Sequence, residues 1–139
     1  MVADVTVDQD SGRIQVTRLV IAQDSGPISN PDGMRNQIEG GALQGVSRAL
    51  GEEVTWDDRR ITSVDWSSYH SLTLGFTPPT MEIVLLNQTE VEACGAGETS
   101  ITVVAPAIGN AIFDATGVRL REVPFTPERV LSALRGRSE

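Results

Sequence analysis

The segment Met34–Leu50 constrains the fold most, because it carries two different helix faces at once. Apolar Ile38, Ala42, Leu43, Val46, Ala49 and Leu50 recur at helical spacing and predict one buried stripe. On the other side, Gln37, Gly40, Gly41, Gln44, Gly45 and Arg48 form a stripe of small and polar groups. Each interior glycine costs a helix about 1 kcal/mol relative to alanine, so this face predicts something held close to the backbone. A bound group and a second packed helix satisfy that demand equally well.

The flanking sequence supplies the rest of the architecture. Val2–Val7 and Ile14–Ile21 are rich in β-branched residues and enclose the turn formers Asp8-Gln9-Asp10-Ser11-Gly12, which predicts a β-hairpin. Asp24-Ser25-Gly26-Pro27 breaks the second strand, and Asn30-Pro31-Asp32-Gly33 makes a further turn before the helix. Val54–Trp56 and Ile61–Val64, joined through the charged turn Asp57-Asp58-Arg59-Arg60, suggest a second hairpin, with Trp66–Pro79 as loop. Met81–Leu86, apolar apart from Glu82, is a short run expected of a buried strand. Ile101–Thr116 is periodic through Val104, Ile108, Ala111, Ile112 and Ala115, with Pro106 in its first turn and Gly117 as its stop. Leu120–Val123 is a short strand candidate. Thr126-Pro127-Glu128 combines an N-cap, a proline at the first helical position and an acid in the first turn, so a last helix should run to about Arg135.

These elements interleave as hairpins and helices without strict βα alternation, so the class expected is α+β: short mixed β-hairpins with three helices. At 139 residues and 40% hydrophobic composition the chain, residues 1–139, is expected to be a single domain with a real core. Several elements lack evident partners, as they would in a piece of a larger domain. The net charge of -8 opposes phosphate backbones and anionic lipid surfaces, which argues against nucleic acid as a partner. Met1-Val2-Ala3-Asp4 has neither a basic n-region nor a long apolar stretch, so no membrane span and a cytoplasmic setting are expected. One cysteine and one histidine cannot build a four-cysteine iron-sulfur site or an ordinary zinc site, so no metal ligand is assigned to this chain.

Three stretches in order carry a resemblance: Asp24-Ser25-Gly26 with Asn30-Pro31-Asp32-Gly33 and Asn36-Gln37-Ile38-Glu39-Gly40-Gly41; Gly95-Ala96-Gly97-Glu98; and Ala105-Pro106-Ala107-Ile108-Gly109-Asn110-Ala111-Ile112-Phe113-Asp114-Ala115-Thr116-Gly117. Together they resemble the carboxy-terminal part of the molybdenum-cofactor subunit of the xanthine dehydrogenase and aldehyde oxidase family. The tail Val123–Val130 is most similar to the nicotinate dehydrogenase and isoquinoline oxidoreductase branches. As a dinucleotide fingerprint the glycine loop fails, because Ser100 stands where a third glycine belongs. Ser25 stands where relatives often have Cys, and Tyr69-His70 replaces a more usual Tyr-Pro.

The resemblance implies hydroxylation of an electron-poor ring carbon or an aldehyde, with oxygen from water. It implies a molybdenum-molybdopterin cofactor, shared with another chain or with an upstream segment, and iron-sulfur clusters only on a partner. The family's subunit is several times longer, so a larger molybdenum-site chain and an iron-sulfur subunit are the implied partners, with a small molecule as substrate. Glu98 matches the family's active-site glutamate, a general base at the metal. Gln37 matches a glutamine that hydrogen-bonds the pterin, since an amide offers donors and an acceptor together. The backbone at Gly97 is the second cofactor contact, with Thr99 and Ser100 as further candidates.

Bland readings stand beside these. Glu98 could be a solvated loop carboxylate and Gln37 an exposed helix amide. His70, alone in a polar loop, reads as solvent-exposed, and Cys94 as a buried thiol acting as a small apolar residue. The alternative for the whole chain is a truncated remnant or interaction module with the same fold and no bound cofactor.

Overall fold

A computed structural model describes residues 1–136, in the order β1 (Val2–Val7), β2 (Ile14–Asp24), α1 (Pro31–Leu50), β3 (Thr80–Leu86), α2 (Val104–Thr116) and α3 (Pro127–Gly136). The class is α+β, with three helices and one three-stranded sheet in the order β1-β2-β3. β1 and β2 form the expected antiparallel hairpin, while β3 joins β2 in parallel after the long excursion that contains α1. Short 3₁₀ turns occupy Leu74–Phe76 and Ile101–Val103.

The hairpin turn needs a glycine for two reasons. Gly12 has φ 74, a left-handed conformation, and the backbone of Pro127 and the side chain of Leu131 on α3 lie where a Cβ would project. Asp8 organises the same turn by accepting from the N–H groups of Asp10 and Ser11 at 2.9 and 3.1 Å, and these bonds lower its carboxyl below the usual range.

A one-residue irregularity sets which side chains enter the core. Asp4 pairs with Arg18 but Val5 pairs with Val16, so Thr17 is an extra residue on β2. The inward set therefore changes parity, from Ile14 and Val16 to Leu19, Ile21 and Gln23. The register brings Met81, Ile83 and Leu85 of β3 beside Leu19, Ile21 and Gln23 on that face. Helices α1 and α2 cover it, closing a core around Val16, Leu19, Ile21, Ile38, Ala42, Val46, Val104, Ile108 and Ile112.

The glycine face of α1 splits in two. Gly41 and Gly45 are buried; the Ser100 side chain lies where a Cβ on Gly41 would go, and a Cβ on Gly45 would come within 2.5 Å of the Val104 side chain. The close approach foreseen for this face is thus made by the start of α2 and the turn before it. Gln37, Gly40, Gln44 and Arg48 remain exposed. The helix starts three residues earlier than the apolar spacing indicates, because Asn30 caps it by accepting from Gly33 N–H at 2.9 Å and Pro31 takes the first helical position.

Four local expectations are corrected. The second hairpin reduces to a single bridge, Trp56 with Ile61, tightened by Asp57 accepting from the N–H groups of Arg59 and Arg60. Leu120–Val123 forms no strand; those residues cross irregularly to Phe125, whose N–H donates to Ala49 at the end of α1. β3 is an edge strand with alternate residues exposed, because nothing among the described residues covers the sheet face bearing Val84 and Leu86. Cys94 is exposed, since the loop that carries it rides over the end of β2 and is not inserted into the core.

Candidate functional site

The site is built where the loop before α2 docks on the ends of β2 and α1. Gln37, one turn before the glycines of α1, donates through Nε2 to the carbonyl oxygen of Gly97 across 60 residues of sequence. That bond fixes the backbone immediately ahead of Glu98. The structure therefore brings all three predicted site residues, Gln37, Gly97 and Glu98, into one neighbourhood, and all three are exposed. Open space lies where a Cβ would project at Gly40, Gly95 and Gly97, so the backbone on both sides of the Gln37 amide is accessible to a bound group. Among the described residues, the Gln37 amide oxygen and the Glu98 carboxylate have no hydrogen-bond partner.

A second fastening, not foreseen from the sequence, lies on the other side of Glu98. Gln23 is buried at the inward end of β2. Its Oε1 accepts from Thr99 Oγ1 at 2.9 Å, and its Nε2 donates to Ser25 Oγ at 2.7 Å and to the Asp24 carbonyl at 3.2 Å. Ser25, also buried, accepts through its own carbonyl from Cys94 N–H at 3.0 Å. Ser100 is sealed against Gly41. A loop of small residues is thus tied at Cys94, Gly97, Thr99 and Ser100, with Glu98 between two of the ties. The signal was available: Gln23 sits in phase with Leu19 and Ile21, so its amide points inward and must find partners.

The other candidates behave differently. His70 is exposed, as expected, on the segment that follows the Trp56–Ile61 turn. Its neighbour Tyr69 donates to Glu52 Oε2 at 2.7 Å, which raises the phenol's pKa above its ordinary value. An apolar depression of about 280 Å³ opens beside it, lined by Leu50, Leu72, Phe76 and Phe125 among others, away from the three site residues.

With this geometry in hand, the comparisons with known proteins decide the family. The profile described as "Molybdopterin cofactor-binding domain" matches residues 1–78. The chain belongs to that family. It is similar to a nicotinate dehydrogenase subunit of Pseudomonas putida, 43% identical over 138 residues, which are 99% of this chain and 12% of that protein. A membrane-bound aldehyde dehydrogenase of Gluconacetobacter polyoxogenes, named for pyrroloquinoline quinone, is 42% identical over 133 residues, covering 96% of this chain and 17% of that one. The aldehyde oxidoreductase from Desulfovibrio gigas superposes with a TM-score of 0.83 at 34% identity, over 96% of this chain and 15% of that chain. The chain thus corresponds to part of a large subunit of the xanthine dehydrogenase and aldehyde oxidase family, and it spans less than a fifth of the length of these relatives.

Proposed function

We propose that residues 1–139 are one molybdopterin-binding subdomain of a molybdenum hydroxylase that oxidises a heteroaromatic ring carbon or an aldehyde, with Glu98 as its general base. The observation that carries this reading is the bond from Gln37 to Gly97, which joins the candidate pterin-contacting amide to the loop bearing the candidate base. Bound nearby, molybdenum-molybdopterin would supply the redox centre and the activated water-derived oxygen. Gln37 would hold the pterin through its amide edge and Gly97 through its backbone, both in the open space beside the loop glycines. Glu98 would accept one proton on its carboxylate and release it to solvent, a role its exposure permits.

The remaining cofactor contacts would come from a larger molybdenum-site chain or from a segment upstream of residue 1, and electrons would leave through iron-sulfur clusters on a further subunit. A cytoplasmic assembly is proposed; no helix among the described residues is long and apolar enough to cross a membrane. The test is Glu98→Gln in the assembled enzyme. Molybdenum content should stay unchanged while turnover falls about 100-fold to 10,000-fold, the worth of a general base; near-normal turnover refutes the role.

One observation favours a second reading, a remnant with the fold and no cofactor: the Glu98 carboxylate has no partner among the described residues. Molybdenum and pterin assays on the purified assembly separate the two, because the remnant would carry neither.

A further inference from the structure

Between α1 and β3 the chain makes a long excursion in which most large apolar side chains face outward, while Leu72 packs against the core. Trp56 is 75% exposed, Trp66 86% and Leu74 91%, and Ile61, Val64 and Phe76 are all more than half exposed. This is no unstructured linker. Thr62 N–H donates to Thr55 O at 2.8 Å, and their hydroxyls meet at 2.7 Å. Asp65 accepts from the hydroxyls of Ser67 and Ser68, both at 2.7 Å, and from their N–H groups. These bonds hold its carboxyl down to about 2. Farther along, Leu72 N–H donates to Ser47 Oγ at 2.7 Å and Tyr69 to Glu52, which fasten the excursion to the end of α1. The local backbone is organised by its own polar groups, and the large apolar groups are left in water, where such a concentration marks an interaction surface.

What covers it follows from the length comparison. Nearly the whole chain matches a relative of which it represents 12%, so most of such a subunit lies outside this chain. We infer that the excursion Val54–Phe76, through Trp56, Ile61, Trp66 and Leu74, is the docking surface for the portion of a molybdenum subunit that lies outside residues 1–139. This rests on the proposed function, which requires that portion to complete the cofactor site. The surface has the composition of an interface centre, with both of the chain's tryptophans in it.

Those two tryptophans give the experiment its readout. The full chain is co-expressed with the Pseudomonas putida nicotinate dehydrogenase subunit from which the 138 matched residues have been removed. The expected result is a stable complex in which tryptophan emission assigned to Trp56 and Trp66, from difference spectra against their Phe variants, moves to shorter wavelength. Trp66→Ser and Leu74→Ser should each weaken association at least 10-fold, about 1.4 kcal/mol. Both positions are exposed, so the variants should unfold in urea with the parent. A complex with unshifted tryptophan emission and unchanged affinity in the variants overturns the surface and leaves the proposed function standing. Failure to associate, or self-association of the chain through these residues, overturns the surface as well; failure to associate together with absence of molybdenum and pterin from the protein removes the function too.

Discussion

Two alanine substitutions on the glycine-rich side of α1 should move stability in opposite directions. At Gly40 nothing lies within 4 Å of the position a Cβ would take, so Gly40→Ala recovers helix propensity without steric cost, up to about 1 kcal/mol. At Gly45 the same methyl would lie 2.5 Å from Val104 Cγ2 and 2.7 Å from its Cβ. Val104 is fully buried and β-branched, so it has no alternative rotamer into which to retreat, and α2 must move away from α1. Overpacking of this kind costs about 1–3 kcal/mol; after the propensity gain, Gly45→Ala should lose up to roughly 2 kcal/mol. With a urea slope of about 2 kcal/mol/M, the midpoint should rise by up to about 0.5 M for Gly40→Ala and fall by up to about 1 M for Gly45→Ala. Equal midpoints for the two variants, or a higher one for Gly45→Ala, would refute the account of why this helix face is glycine-rich.

Other consequences follow from the same contacts. Gln23→Leu keeps the bulk but leaves the buried Ser25 hydroxyl short of a partner and releases the exposed Thr99 hydroxyl to water, so thermal unfolding should reveal a loss of about 1–3 kcal/mol. Amide exchange should then quicken around Thr99. Asp65 has a folded-state pKa of about 2 against an ordinary 3.8, so its contribution is present above pH 4 and is lost as pH falls toward 2. Carbon-13 titration should place its midpoint at about 2, and Asp65→Asn should flatten any stability loss in that window. Gly117→Ala forces a side chain into φ 71 at the end of α2 and should lower stability by about 1 kcal/mol or more.

Much of the fold was legible because its signals are local. The β1–β2 turn, the start of α3 at Thr126-Pro127 and the stop of α2 at Gly117 each depend on a few adjacent residues, and each stands where the sequence puts it. Met81–Leu86 shows the limit. Glu82 lies in phase with Val84 and Leu86, but the four consecutive apolar residues Ile83 to Leu86 carry no period of their own that turns Val84 and Leu86 away from the helices. Leu120–Val123 has strand-like composition but no strand beside it, and pairing is a property of the neighbour. For the site, the sequence brings Gln37, Gly97 and Glu98 forward through resemblance. The phase of Gln23 with Leu19 and Ile21 marks it as inward, but not what it ties down, because its partner Thr99 lies 76 residues away in sequence.

The closed neck between Thr55 and Thr62 makes residues 56–61 a detachable ornament. Their removal in favour of an Asn-Gly turn would leave the neck bonded, and shortening the connection threefold changes its closure entropy by about 1 kcal/mol. Trp56 and Ile61 can therefore be rewritten or lost by mutation while the fold is inherited intact, whereas Trp66 and Leu74 sit on the stretch that Leu72 and Tyr69 fasten to α1.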